Sequence, residues 1–147
     1  MATLSDVNRK TAGLQRPLTE RAFTLRLSPT RRGARLARLL TVVHLDLWGL
    51  PSAPAAHIVA ELAANAATHG RVKGRDFQLA VGVREETVLR IELTDTKGGC
   101  LPVASVPDEH AESGRGLLIV GAMADRWGVA PGPVPRKTVW AELDLVP

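Results

Sequence analysis

Apolar and polar positions change their period several times along this chain. "AFTLRLSP" sets Phe23, Leu25 and Leu27 against Thr24 and Arg26, an alternation of two that predicts a strand. In "SPTRRGARLARLLTVVHLDLWGLP" the spacing lengthens, and Leu36, Leu39, Leu40, Val43 and Leu47 recur at helical intervals until Gly49 and Pro51 stop the run. A second helix is expected from about Pro54, with Gly70 as its stop. "DFQLAVGVR" and "TVLRIELTD" read as two strands joined through Glu85 and Glu86. A long polar loop follows, then a third helix at "LLIVGAMAD", a short strand near "RWGVA", a turn-rich link at "PGPVPR", and a final strand in which Val139, Ala141, Leu143 and Leu145 alternate.

The resulting order is β-α-α-β-β-loop-α-β-β. Tight connections between neighbouring strands favour antiparallel pairing, and helices gathered on one side give a two-layer α+β domain. Residues 1–21 are polar and unpatterned and are expected to form a mobile tail, leaving 22–147 as the domain. The loop of about 20 residues is long for the interior of a small domain and points to function.

Composition narrows the class. At 147 residues with 45% hydrophobic and 23% charged residues, the chain suits one globular domain. Aromatics are 3% and tyrosine is absent, so the core must rest on Leu, Val, Ala and Ile. A single cysteine, Cys100, excludes an intrachain disulfide and fits a reducing compartment. With no run of about 18 apolar residues and no apolar leader, a cytoplasmic protein without membrane attachment is expected. The net charge of +4 is uneven: residues 1–38 carry +7 and the remainder −3. Such a basic region suits an acidic partner or nucleic acid, but no aromatics are interleaved to stack on bases, which argues against direct nucleic-acid binding. A solvated tail and an exposed helix face account for the same charges.

Candidate chemistry concentrates on the second helix, "HIVAELAANAATHG". At about 100° per residue, Glu61, Asn65 and Thr68 fall within roughly 60° of one another, beside the stripe of Ala55, Ile58, Val59, Leu62 and Ala66. A carboxylate and a carboxamide one turn apart suit magnesium and phosphate: Asn65 offers a neutral oxygen, and Glu61 can accept a proton. His57 stands one turn before Glu61, yet no second histidine at ligand spacing supports zinc. Chance spacing on an exposed face is the alternative. "DTKGGC" begins where a strand ends at Asp95, a carboxylate able to accept a hydrogen bond from an amino group such as that of adenine, while Gly98 and Gly99 let the backbone approach a flat ring. In "SGRGLLIVGAMAD", Gly114 and Gly116 flank Arg115 just before an apolar helix, where free N–H groups and a guanidinium can receive phosphate. Thr138, near the start of the last strand, is an ordinary β-branched residue unless its hydroxyl meets a base or a water.

In this order the segments resemble the nucleotide-binding boxes of the GHKL ATPase superfamily: "ELAANAATHG" the N box, "DTKGG" and "GRGLLIV" the two glycine boxes, "KTVWAEL" the last box. "LWGLP" and "ADRWGV" resemble the branch of small anti-sigma-factor serine kinases, and the likeness runs over about residues 22–145. The resemblance implies a mixed, mostly antiparallel sheet covered on one face by helices, with ATP between the layers. It implies Mg²⁺ at Asn65, Glu61 as general base and Asp95 on adenine. Gly98 and Gly99 would form the first glycine turn, with Gly114, Arg115 and Gly116 around the phosphates, Thr138 near the base, and a lid over about 103–113. It further implies a serine/threonine kinase acting in transcription regulation, with a sigma factor and an anti-anti-sigma (STAS) protein as partners, and a homodimer. Two positions depart from the pattern: Lys97 and Arg136 stand where glycine is usual. They leave open a second expectation, a non-catalytic interaction module that binds ATP weakly or not at all.

Overall fold

A computed structural model describes residues 21–69, 75–95, 111–131 and 136–145, with the backbone alone at 69, 111–115 and 131. Strand β1 (Ala22–Leu27) leads into helices α1 (Arg31–Trp48) and α2 (Ala53–His69). The hairpin β2 (Phe77–Arg84) and β3 (Val88–Asp95) follows, then α3 (Ala111–Met123) and the pair β4 (Arg126–Pro131) and β5 (Lys137–Asp144). The order is the expected one. The five strands lie as β1-β2-β3-β5-β4, and every pair is antiparallel. The mixed sheet implied by the resemblance is therefore antiparallel throughout the described strands. Hairpins join β2 to β3 and β4 to β5, and β5 inserts between β3 and the edge strand β4.

Local chemistry sets the element ends. Thr30 has an extended backbone and accepts a hydrogen bond from the Gly33 amide at 3.1 Å, the geometry of an N-cap. Gly49 closes α1 in the left-handed region (φ 75°), with Leu50 N–H bonded to the Leu45 carbonyl. The β2–β3 turn is less comfortable, since Glu85 and Glu86 both take positive φ (52° and 61°) without being glycine.

The core lies between sheet and helices. Phe77, Leu79 and Val81 of β2, Leu89, Ile91 and Leu93 of β3, and Val139 and Ala141 of β5 meet Ala55, Ile58, Val59, Leu62, Ala63 and Ala66 of α2, with Leu117 and Val120 of α3 beside them. Apart from Phe77, this is the aliphatic core the composition implies. Helix α1 packs on α2 and β1 through Gly33, Ala37, Thr41 and Leu45. The aliphatic residues that mark α1 as helical mostly point away: Leu36, Leu39, Val43 and Leu47 are exposed, and of that set only Leu40 is half-buried. Small residues on the inner face let α1 sit close to its neighbours, so its most hydrophobic face is its outer one.

On the side of the sheet away from the helices, polar groups are tied together. Glu142 accepts from Arg90 at 2.7 Å and from Arg126 at 2.9 Å, Arg90 also donates to Glu92, and Arg126 bonds Asp144. The Arg90 guanidinium stands 4.4 Å from the centroid of Trp140, whose ring lies against the bare backbone of Gly128.

Candidate functional site

The site is best defined where α2 meets α3. Glu61 and Asn65, one turn apart on α2, are both half-buried and border the buried row of Ile58, Leu62 and Ala66. Gly116 of α3 is buried opposite them. A methyl group placed on Gly116 would stand 3.1 Å from Glu61 Oε1 and 3.6 Å from Asn65 Oδ1. Both polar side chains thus rest over a stretch of helix without a side chain, and any larger residue there would press into them. His57 stands on the outer side of Glu61, with its Nε2 3.6 Å from Oε2. Thr68, expected in the same row, turns back to bond the Ala64 carbonyl at 2.9 Å and lies exposed, so the polar row is a pair and not a triad.

Asp95 closes β3 on the helix side of the sheet and is 6% exposed. Directly opposite on β5 is Lys137, 5% exposed, with its ammonium nitrogen 3.7 Å from the Asp95 carboxylate. Burying a carboxylate and an amine this deep is costly unless each has a partner of opposite charge and further polar contacts. Lys137 was not among the expected site residues, although the pattern contains it: extending the buried phase of Val139 and Ala141 back by two residues reaches Lys137 and not Thr138.

Thr138 accordingly has the other phase. Its hydroxyl is 2.7 Å from that of Thr94, on the sheet face away from the helices. The structure therefore does not bring Thr138 to the side that carries Asp95, Glu61 and Asn65. Its place on that side is taken by Lys137.

The second glycine segment also sits differently from expectation. Helix α3 starts at Ala111, so 114–116 lie inside its first two turns and not before it. Glycine is a poor interior helix residue, by about 1 kcal/mol relative to alanine, and at Gly116 the close approach of α2 accounts for it. The N–H groups left without intrahelical partners are those of residues 111–114, so Gly114 remains among them. The Arg115 side chain, Gly98, Gly99, Lys97, Cys100 and the lid segment 103–110 lie outside the described residues.

The donor set admits a hard cation better than a soft one. Among the described residues no three His, Cys, Asp or Glu side chains gather as a metal cluster. Asn65 and Glu61 supply oxygens side by side next to the Gly116 backbone, a donor set that fits an ion such as magnesium that takes one or two protein ligands and keeps water for the rest.

No protein-family model matches the sequence, and no curated protein matches it. Among solved structures, the chain is similar to the crystal structure of the RsbU and RsbW domains of Rv1364c from Mycobacterium tuberculosis. The TM-score is 0.64 over 84% of this chain, at 18% identity. This chain spans 32% of the length of that one. What the two share is the fold, which in this chain is an α+β sandwich with a five-stranded antiparallel sheet under three helices.

Proposed function

We propose that this chain binds Mg-ATP between α2, α3 and the end of β3, and acts as a serine/threonine kinase and anti-sigma factor that phosphorylates an anti-anti-sigma (STAS) partner. The observation that carries the reading is the convergence of Glu61 and Asn65 on Gly116. A binding module needs no carboxylate at that place, whereas phosphoryl transfer needs a proton acceptor beside a cation ligand. The RsbW domain named in the similar structure supports the same role.

In this reading the Asn65 carboxamide would hold a magnesium ion without cancelling its charge, and the ion when bound would supply positive charge beside the phosphates. Glu61 takes the proton from the attacking serine hydroxyl as its oxygen bonds the terminal phosphorus, and ADP leaves. His57, at 3.6 Å, limits the rotamers open to Glu61. The backbone N–H groups that open α3 face the phosphates. Asp95 accepts a hydrogen bond from the adenine amino group, next to Lys137. The test is transfer of labelled phosphate from ATP to a STAS partner. Glu61→Ala abolishes transfer and leaves Mg-ATP binding intact, whereas Asn65→Ala weakens the binding itself. No transfer to any cognate partner, or equal transfer by Glu61→Ala, rejects the kinase.

A second reading is favoured by the Asp95–Lys137 pair, since the carboxylate assigned to adenine is already engaged. It makes the chain a non-catalytic interaction module in transcription regulation. Calorimetry decides between the two: no heat of Mg-ATP binding at millimolar nucleotide leaves only the scaffold.

A further inference from the structure

On its helix side the β3–β5 ladder is aliphatic rung by rung until the last one. Leu89 faces Leu143, Ile91 faces Ala141 and Leu93 faces Val139; then Asp95 faces Lys137. Both strands turn from apolar to charged at the same step, and both charged side chains stay as buried as Val139 before them. Asp95 is the last residue of β3 and Lys137 the first of β5, so the pair ends the ladder. A well-packed aliphatic pair is often at least as stable as a buried ion pair. Stability of the sheet therefore does not call for charge at this rung, whereas a polar ligand read at the end of the ladder does. In the nucleotide site described above, Asp95 takes one hydrogen bond from adenine and Lys137 has no task.

We propose, resting on that nucleotide site, that Lys137 is a second base-reading group, and that with Asp95 it accepts either purine, so that GTP binds as readily as ATP. Adenine presents a donor at its 6-amino group and an acceptor at N1. Guanine presents the reverse, an acceptor at O6 and a donor at N1. A carboxylate only accepts. Alone, it bonds the 6-amino group and repels O6, which excludes guanine. An ammonium only donates. With the two groups 3.7 Å apart, an acceptor and a donor stand side by side. The adenine amino group meets Asp95 while N1 meets Lys137, or O6 meets Lys137 while guanine N1–H meets Asp95. Their own contact is a charge contact, longer than a hydrogen bond. Both side chains make other interactions as well; three donors on the one and about four acceptor directions on the other give room for a further bond at each. The positive charge of Lys137 also offsets the carboxylate's repulsion of O6 in a site of low dielectric. Thr138 cannot take this part, because its hydroxyl bonds Thr94 on the opposite sheet face.

Calorimetry on the full chain compares Mg-ATP, Mg-GTP and Mg-ITP, the last carrying O6 without the 2-amino group. The three are expected to bind within about threefold of one another. Inorganic triphosphate, which has no base, is expected to bind at least about tenfold more weakly. Lys137→Met is expected to leave GTP and ITP at least about tenfold weaker than ATP, and Lys137→Arg, which keeps the donor, to hold the three together. Far-ultraviolet dichroism confirms that each variant is folded, and the wild-type comparison needs no variant. ATP binding with GTP at least about tenfold weaker in the wild type overturns the inference and leaves the Mg-ATP site standing. Equal binding of ATP and GTP by folded Lys137→Met, or triphosphate as tight as ATP, overturns it as well. No heat from any of the three nucleotides rejects the nucleotide site and this inference together.

Discussion

Asp95 and Lys137 face each other across the β3–β5 ladder with 3.7 Å between carboxylate and ammonium, each almost wholly out of solvent. A pair placed so deep is costly to break from one side only, because the remaining charge loses its counterpart and keeps its desolvation. Lys137→Met is expected to lower the unfolding free energy by about 3 kcal/mol, and Asp95→Leu with Lys137→Met to recover most of that loss. Urea unfolding of the two variants checks this. A double variant as unstable as the single one would show that packing, and not charge, explains the site.

Gly116 separates stability from binding. Gly116→Ala gains helix propensity of about 1 kcal/mol, yet its new methyl group meets Glu61 Oε1 at 3.1 Å. The expected variant melts no lower than the wild type and binds Mg-ATP about tenfold more weakly, a change of ~1.4 kcal/mol. Calorimetry beside a thermal melt reads both quantities. Weaker melting with unchanged affinity would contradict the placement of the nucleotide at this contact.

The β2–β3 turn holds two glutamates at positive φ, a conformation that disfavours side chains by roughly 1–2 kcal/mol per residue. Glu85→Asn with Glu86→Gly is expected to raise the unfolding free energy by about 1 kcal/mol without touching any site residue. Denaturant midpoints at constant slope test it, and a lower midpoint would mean that the glutamate side chains hold the hairpin by contacts of their own.

Acid sensitivity is expected to follow the outer sheet face. Hydrogen bonds from Arg126 and then Arg90 hold the Glu142 carboxyl below its ordinary range, and Arg126 does the same for Asp144. A carboxyl whose folded value is depressed binds fewer protons folded than unfolded. Its contribution is therefore complete above the ordinary carboxylate range and is lost as pH falls through that range towards the lower folded value. The melting temperature of Glu142→Gln should lie below that of the wild type at neutral pH, with the gap closing only in that acidic window. A gap that persists unchanged to the acid end would assign the effect to shape and not to charge.

Element order was readable because each segment carries its own period and its own stops, from Phe23 to Leu27 and from Val139 to Leu145. What misled was phase. In α1, periodicity establishes a helix but is silent on which face goes inward when one side is leucine-rich and the other small; close packing chose Gly33, Ala37 and Thr41. In β5, the resemblance singled out Thr138 and passed over Lys137, whereas the two-residue alternation buries the lysine. In α3, glycines suggested a loop, because nothing local reveals that a helix two segments away needs the room at Gly116. Glu61 and Asn65 stood out because helical spacing alone brings them onto one side.

Trp140 has a last consequence. Its indole is the broadest hydrocarbon plane on that side of the sheet, yet one surface of it is occupied by Gly128 and another by the Arg90 cation. A neighbouring molecule arriving there meets fixed ions in place of a sticky ring. Strand-on-strand stacking, the ordinary hazard of a bare five-stranded surface, is discouraged by an aromatic group that the protein has wrapped in its own atoms.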